Sequence, residues 1–397
     1  MLPTTLVVAL LMAVAVMGLL SLYQTDLLFF ARANYIRDQR DNIASMFVLY
    51  RLDPAIAKDT TYQLYDTLPS SRMSILRREW GLYEVVTVAS ERGDLHRSCI
   101  MGLACAAPGK GGSGGAKALW YNDNNNALTL TGNSNIENEA WLPRGGVIYG
   151  QMQSVFFTGN KLMPAQIHQS EAVLPKPTLQ SCAAIDRLLR AQPDTPFTES
   201  LTRSFYRRQA AVMWVDGNLA GCAFAGNVIL TGDRVHVDRS THLTGVVIAA
   251  RRVSIGDGFK GSVQIFARDT ALVGEGVHLK APSGVYARSY VELGEGSLLE
   301  GYMIVDFDGK VDRRKPNCRK ARTSRLRGLL YARGITQLQG ITVGSAYVEK
   351  ATYYSSHGYY EDMLYDASIV GSEQVVYPLW LDERSERKEA AVMSYEL

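Results

Sequence analysis

The chain has 397 residues, of which 47% are hydrophobic and 20% charged, and this rules out wholesale disorder. Forty-two basic residues against 39 acidic ones give a net charge of +3, too balanced for a protein whose whole surface binds nucleic acid. Glycine is abundant at 35 residues and proline scarce at 13, so something in the chain needs many tight corners without being collagen-like.

From Leu2 to Leu22 no residue is charged, and 21 such residues span a bilayer as a helix. No basic segment precedes the run and no small-residue cleavage site follows it, which favours a retained anchor over a secretory signal. Residues 23–50 contain neither glycine nor proline. Leu27, Leu28, Ala31, Tyr35 and Ile36, then Ile43, Phe47 and Tyr50, recur at helical spacing between charges at Arg32, Arg37, Asp38, Arg40 and Asp41. The expectation is a single helix over 1–50, its first half in lipid and its second half amphipathic. This arrangement resembles the stem helix of type IV pilins and minor pseudopilins, although the basic leader and the glutamate near the helix start are missing. The resemblance implies that the bulk of the chain lies in the periplasm or outside the cell. The arginines following the span argue for the opposite side.

Residues 51–117 read as a small mixed α/β region, with a strand-like run at 83–89 and a Gly-rich linker at its end. Cys99 and Cys105 flank a short interval that a disulfide would close in an oxidising compartment. The stretch Pro108–Lys117 is not a phosphate loop, because Lys110 is followed by Gly111 rather than by Ser or Thr.

The repeat beginning near residue 215 is the most informative feature. Leu219, Val237, Ile255, Val273 and Leu293 recur at steps of 18 to 20 residues. Three of them open the same corner, Ile-Gly-Asp-Gly at 255–258, Val-Gly-Glu-Gly at 273–276 and Leu-Gly-Glu-Gly at 293–296. Short Val- and Ile-rich strands fill the intervals. A unit of this size cannot bury its own apolar face, but a stack of them can. The fold expected is therefore mainly β: a parallel β-helix, or β-solenoid, of right-handed coils, with the five apolar residues forming one interior column. A left-handed hexapeptide register through Val237, Leu243, Ala249 and Ile255 is the rival. First rungs are expected at 118–177, a helical insertion at 178–213, the main solenoid at 214–381 and a polar tail at 382–397. Residues 215–305 resemble the bactofilins, polymer-forming bacterial β-helix proteins, in rung length and in the apolar-Gly-acidic-Gly corner.

No Ser/His/Asp arrangement, HExxH motif or Cys-x-x-Cys pair occurs, and no cofactor is implied. An acyltransferase reading would draw its base from His236, His242 or His278, and a glycosidase or calcium-site reading would draw on Asp257, Glu275 and Glu295. Residues 306–327 form a second insertion, with nine basic and three acidic residues among 22. Arg313, Arg314, Lys315, Arg319, Lys320, Arg322, Arg325 and Arg327 make it a candidate surface for an anionic polymer or lipid headgroup. No aromatic residue is interleaved from 308 to 327, which speaks against nucleic acid. The function expected is a membrane-anchored bacterial cell-envelope structural or assembly protein, held in the lipid bilayer and engaging protein partners or copies of itself. The alternatives are a bactofilin-like cytoskeletal polymer at the membrane and a carbohydrate-active enzyme or sugar acyltransferase.

Overall fold

The structure, a computed structural model, describes residues 2–53, 56, 61–64, 72–91, 95–104, 117–356, 358–372, 374–381 and 390–395. The chain divides into two compact units, Met1–Leu76 with Thr87–Arg97 and Arg77–Val86 with Ser98–Leu397.

The first unit is built on one α-helix, Leu2–Leu52. Nothing in its sequence interrupts the backbone ladder after Pro3, and Asp53 ends it because a residue before proline avoids helical dihedrals. Its N-terminal half is apolar and exposed all round: Leu6, Leu11, Met17 and Leu22 each keep more than 60% of their surface open. Such a cylinder is long and apolar enough to cross a membrane. Further along, Gln39, Asn42, Ile43, Met46, Phe47 and Tyr50 are buried at i, i+3, i+4, i+7, i+8 and i+11, which makes one helical face. In the same unit strand Thr61–Gln63 pairs antiparallel with residues 72–74.

The second unit is a β-solenoid of about 12 turns, and strands make up 51% of the described residues. Its first rung comprises Ser200–Arg203, Ala211–Trp214 and Gly217–Leu219. Parallel pairing then carries it through Val228–Val237, His242–Ile255, Lys260–Val273, His278–Ala287, Leu298–Val305, Arg325–Leu338 and Gly340–Ser355. Leu219, Val237, Ile255, Val273 and Leu293 stand in register on successive rungs, all buried in the interior. The hexapeptide register does not describe this stack. Ala249 turns outward into a different cluster from Val237, Leu243 and Ile255.

That second cluster explains why runs such as Val246–Ala250 are apolar on both faces. Val246, Ile248 and Ala250 point inward, whereas Val247 and Ala249 point outward into a covering layer. Part of the layer comes from Trp80, Leu82, Tyr83, Val85 and Ile100. The rest comes from helix Leu179–Leu189 through Ile185 and Leu189, and from the C-terminal Val375, Tyr377, Trp380 and Leu381. Thr178 caps that helix by accepting the Ser181 N–H at 3.1 Å.

Three expectations are corrected. The helical insertion is shorter than 178–213, because the helix ends at Leu189 and Ser200–Arg203 is already solenoid, paired with Ala223–Gly226. Residues 154–160 do not form a rung strand; Val155–Phe156 closes a small antiparallel hairpin with Gln151–Met152. The rungs at 118–177 do not precede the main stack but continue it from its far end. After Gly340–Ser355 the chain returns as Gly358–Glu361 and then lays Met363–Tyr365 and Ala367–Val370 on the next turn, leaving the flank beside residues 346–348 unpaired. Residues 119–121 fill that flank. Leu128–Thr131, Asn135–Glu137 and Glu139–Leu142 follow on top.

One turn is thus closed by two segments far apart in sequence. A polar lock marks the junction: Asp362 is buried and accepts the Tyr121 hydroxyl at 2.6 Å, Asn124 at 2.6 Å and Asn126 at 2.9 Å. Tyr121→Phe is expected to cost about 1.5–3 kcal/mol, the usual range for a buried hydrogen bond to a charged acceptor, as read by urea denaturation. A shift below a few tenths of a kcal/mol would mean the lock is not needed for closure.

Candidate functional site

The sequence-derived candidates do not converge. His236 lies on an outer column, its Nδ1 2.8 Å from Ser254 Oγ, with both residues facing solvent on a flat strand surface. His242 and His278 lie on another column with Lys260 between them in register, and His278 reaches Glu300 only at 3.9 Å. A nucleophile needs a base oriented by a third group, and among the described residues these histidines stand on two separate columns without such a partner set.

The acidic corner is occupied in holding rungs together. Asp257 Oδ1 accepts the Glu275 N–H at 2.8 Å. Glu295 accepts the N–H groups of Arg322 and Thr323 and the Thr323 hydroxyl, and these bonds hold its carboxyl below the usual carboxylate range. Asp257 and Glu295 therefore cap successive turns, and Glu275 between them is exposed. Among the described residues no group of three or more His, Cys, Asp or Glu side chains is placed to hold a metal. Cys99 is buried in strand His96–Ala104, and the Cys99–Cys105 pairing lies outside the described residues because Cys105 does.

The basic stretch is two structures rather than one loop. Only residues 306–317 leave the solenoid; Cys318–Lys320 and the start of Arg325–Leu338 are rung strands. Lys320 therefore leaves the interaction surface. It occupies the interior column between Leu293 and Leu338, wholly buried, and its Nζ donates to Ser324 O at 3.0 Å and Gln339 O at 2.9 Å. Arg319 pairs with Glu292 at 3.2 Å and Arg322 with Asp366 at 2.8 Å. Arg325 and Arg327 point outward.

Sequence reading did not anticipate the neighbours of residues 306–317. The tyrosine-rich tail forms a hairpin in which Tyr353 faces Tyr360 and Tyr354 faces Tyr359. The Tyr354 hydroxyl donates to Arg313 O at 3.0 Å, and Glu361 lies 3.6 Å from the Arg313 guanidinium and 2.8 Å from Lys350 Nζ. The separation of these segments in sequence hid the association.

A cleft of about 180 Å³ opens in the second unit, lined by Arg77, Glu79, Tyr83, Gln180, Ser181 and Leu379 among others. Its polar groups satisfy each other. Arg77 pairs with buried Glu84 at 2.6 Å, Glu79 binds Gln180 at 2.7 Å and also Arg187, and Ser181 donates to Leu379 O.

Comparison with known protein families, with curated proteins and with solved structures found no match.

Proposed function

We propose that the protein is a membrane-anchored structural or assembly component of a bacterial cell envelope, with the solenoid as its interaction surface. The observation that carries this reading is the exposed apolar surface of the helix from Thr5 to Phe30 in a chain whose remaining bulk is a long β-solenoid. The helix is long and apolar enough to cross a bilayer once. Solenoids present long, regular faces suited to partners or to copies of themselves.

Within this reading, the pilin-like stem suggests a minor component of a pilus- or secretion-type assembly with its bulk outside the cytoplasm. The bactofilin-like rungs suggest instead a polymer at the cytoplasmic face. The two differ in topology. Ser200 is exposed, so a Ser200→Cys variant is expected to react with a membrane-impermeant maleimide in intact cells. Reaction only after permeabilisation would overturn the pilin-like version and leave the cytoskeletal one.

The anchored reading itself makes a separate prediction. A chain lacking residues 1–50 is expected to leave the membrane fraction and remain soluble with a β-rich circular dichroism spectrum. Retention of the truncated chain in membranes washed at high salt, which strips electrostatic contacts, would refute the anchor.

A further inference from the structure

The outward excursion 306–317 and the tyrosine hairpin form one protrusion on the second unit. Its charges are unevenly satisfied. Arg333 takes up Asp306 at 2.8 Å and Asp308 at 3.2 Å, and Lys350 and Arg313 take up Glu361. Among the described residues Lys310, Arg314 and Lys315 are exposed and make no ion pair, and Asp312 is the one carboxylate of the excursion left without a cation. In the midst of these cations Val311 keeps 47% of its surface open, and Tyr359 on the hairpin keeps 46%.

Free cations around an exposed aliphatic side chain, with a tyrosine rim, form a mixed surface. A soluble polyanion rewards the cations only. A bilayer interface rewards both parts: phosphates meet the ammonium and guanidinium groups, and the apolar and aromatic side chains enter the headgroup boundary. We infer that this protrusion docks on the anionic headgroup layer of a membrane. The inference rests on the membrane-anchored reading, which keeps every copy of the chain at a membrane.

The test uses the full chain held in phosphatidylcholine nanodiscs, with added sucrose-loaded vesicles of phosphatidylcholine alone or with phosphatidylglycerol. Capture in the nanodisc reports the anchor, so its failure is seen separately from failure of the docking surface. Co-sedimentation is expected with the phosphatidylglycerol vesicles only, and it should weaken steeply with salt. Replacing Lys310, Arg314 and Lys315 together by glutamate is expected to weaken it by roughly 100-fold or more, with the β-sheet circular dichroism unchanged. The pair Val311→Ser and Tyr359→Ser is expected to weaken vesicle binding without altering binding to dextran sulfate. Undiminished sedimentation of the triple variant would overturn the inference. So would equal binding to both kinds of vesicle, or binding to dextran sulfate by a chain that ignores the vesicles; the last result would assign the surface to a soluble anionic polymer.

Discussion

Gly328→Ala is expected to unfold the middle of the solenoid, lowering stability by at least about 3 kcal/mol. Ser283, Gly301, Gly328 and Gly344 stand in register on four successive rungs. Gly328 has φ +150°, a backbone conformation closed to L-residues. A Cβ there would also fall inside the van der Waals surface of the Gly301 carbonyl oxygen. That oxygen belongs to the backbone of a paired strand, so relief requires parting two rungs and giving up their ladder hydrogen bonds. Gly258→Ala provides the control. Its φ is +72° at a corner, but a Cβ there meets open space, so only the left-handed strain of about 1–2 kcal/mol applies. Urea midpoints of the two variants separate the effects. Equal losses would show that close rung approach contributes nothing at Gly328.

The stacked core was legible because it is local and periodic. Leu219, Val237, Ile255, Val273 and Leu293 each begin a corner, and a repeat of one corner per rung places them one above another whatever happens elsewhere. The apolar helix was legible for the same reason, since length and absence of charge suffice. What stayed hidden depends on pairing between distant segments. Residues 119–121 and 346–348 carry no pattern that says they will meet. They meet because the tail covers only part of the preceding turn and an open parallel edge remains. The covering layer was hidden in a different way. Continuous apolar runs announce burial on both faces, yet they do not say that Tyr83, Leu189 and Trp380 supply the second face.

Site reading failed where composition was taken for location. Nine basic residues in a row of 22 look like one surface, but a strand begins at Cys318 and alternation then turns Arg319 outward and Lys320 inward. The acidic corner looked like a stripe facing solvent, whereas Asp257 and Glu295 bond the backbone of the following rung. The tyrosines at 353–360 had no assigned partner, and the hairpin that pairs them also carries Tyr354 onto Arg313.

Lys320 makes the second large prediction, a stability that rises with pH. The ammonium sits in a column otherwise occupied by Leu, Val and Ile, and burial pushes its pKa down to about 7; the nearby Glu295 carboxylate opposes this. Cys318 adds no charge at these pH values, because burial pushes its thiol up to about 12. In the unfolded chain the lysine holds its proton up to about pH 10.4, and in the folded chain only up to about 7. Between those values the unfolded state binds more protons, so stability falls as pH drops towards 7 and levels off below it. The full penalty is on the order of 4 kcal/mol, accruing at up to about 1.4 kcal/mol per pH unit. Lys320→Met removes the titration but leaves the Gln339 carbonyl without its donor, at about 1–3 kcal/mol, and takes one of two donors from the Ser324 carbonyl, which keeps the Ile341 N–H at 3.1 Å. Those losses offset part of the penalty relieved, so the absolute stability of the variant does not decide the matter; the pH slope does. Urea midpoints between pH 7 and 9 should climb for the native chain and stay level, relative to it, for Lys320→Met. Parallel profiles would mean that the Lys320 ammonium keeps its proton in the folded state and that the solenoid interior tolerates a charge at this rung.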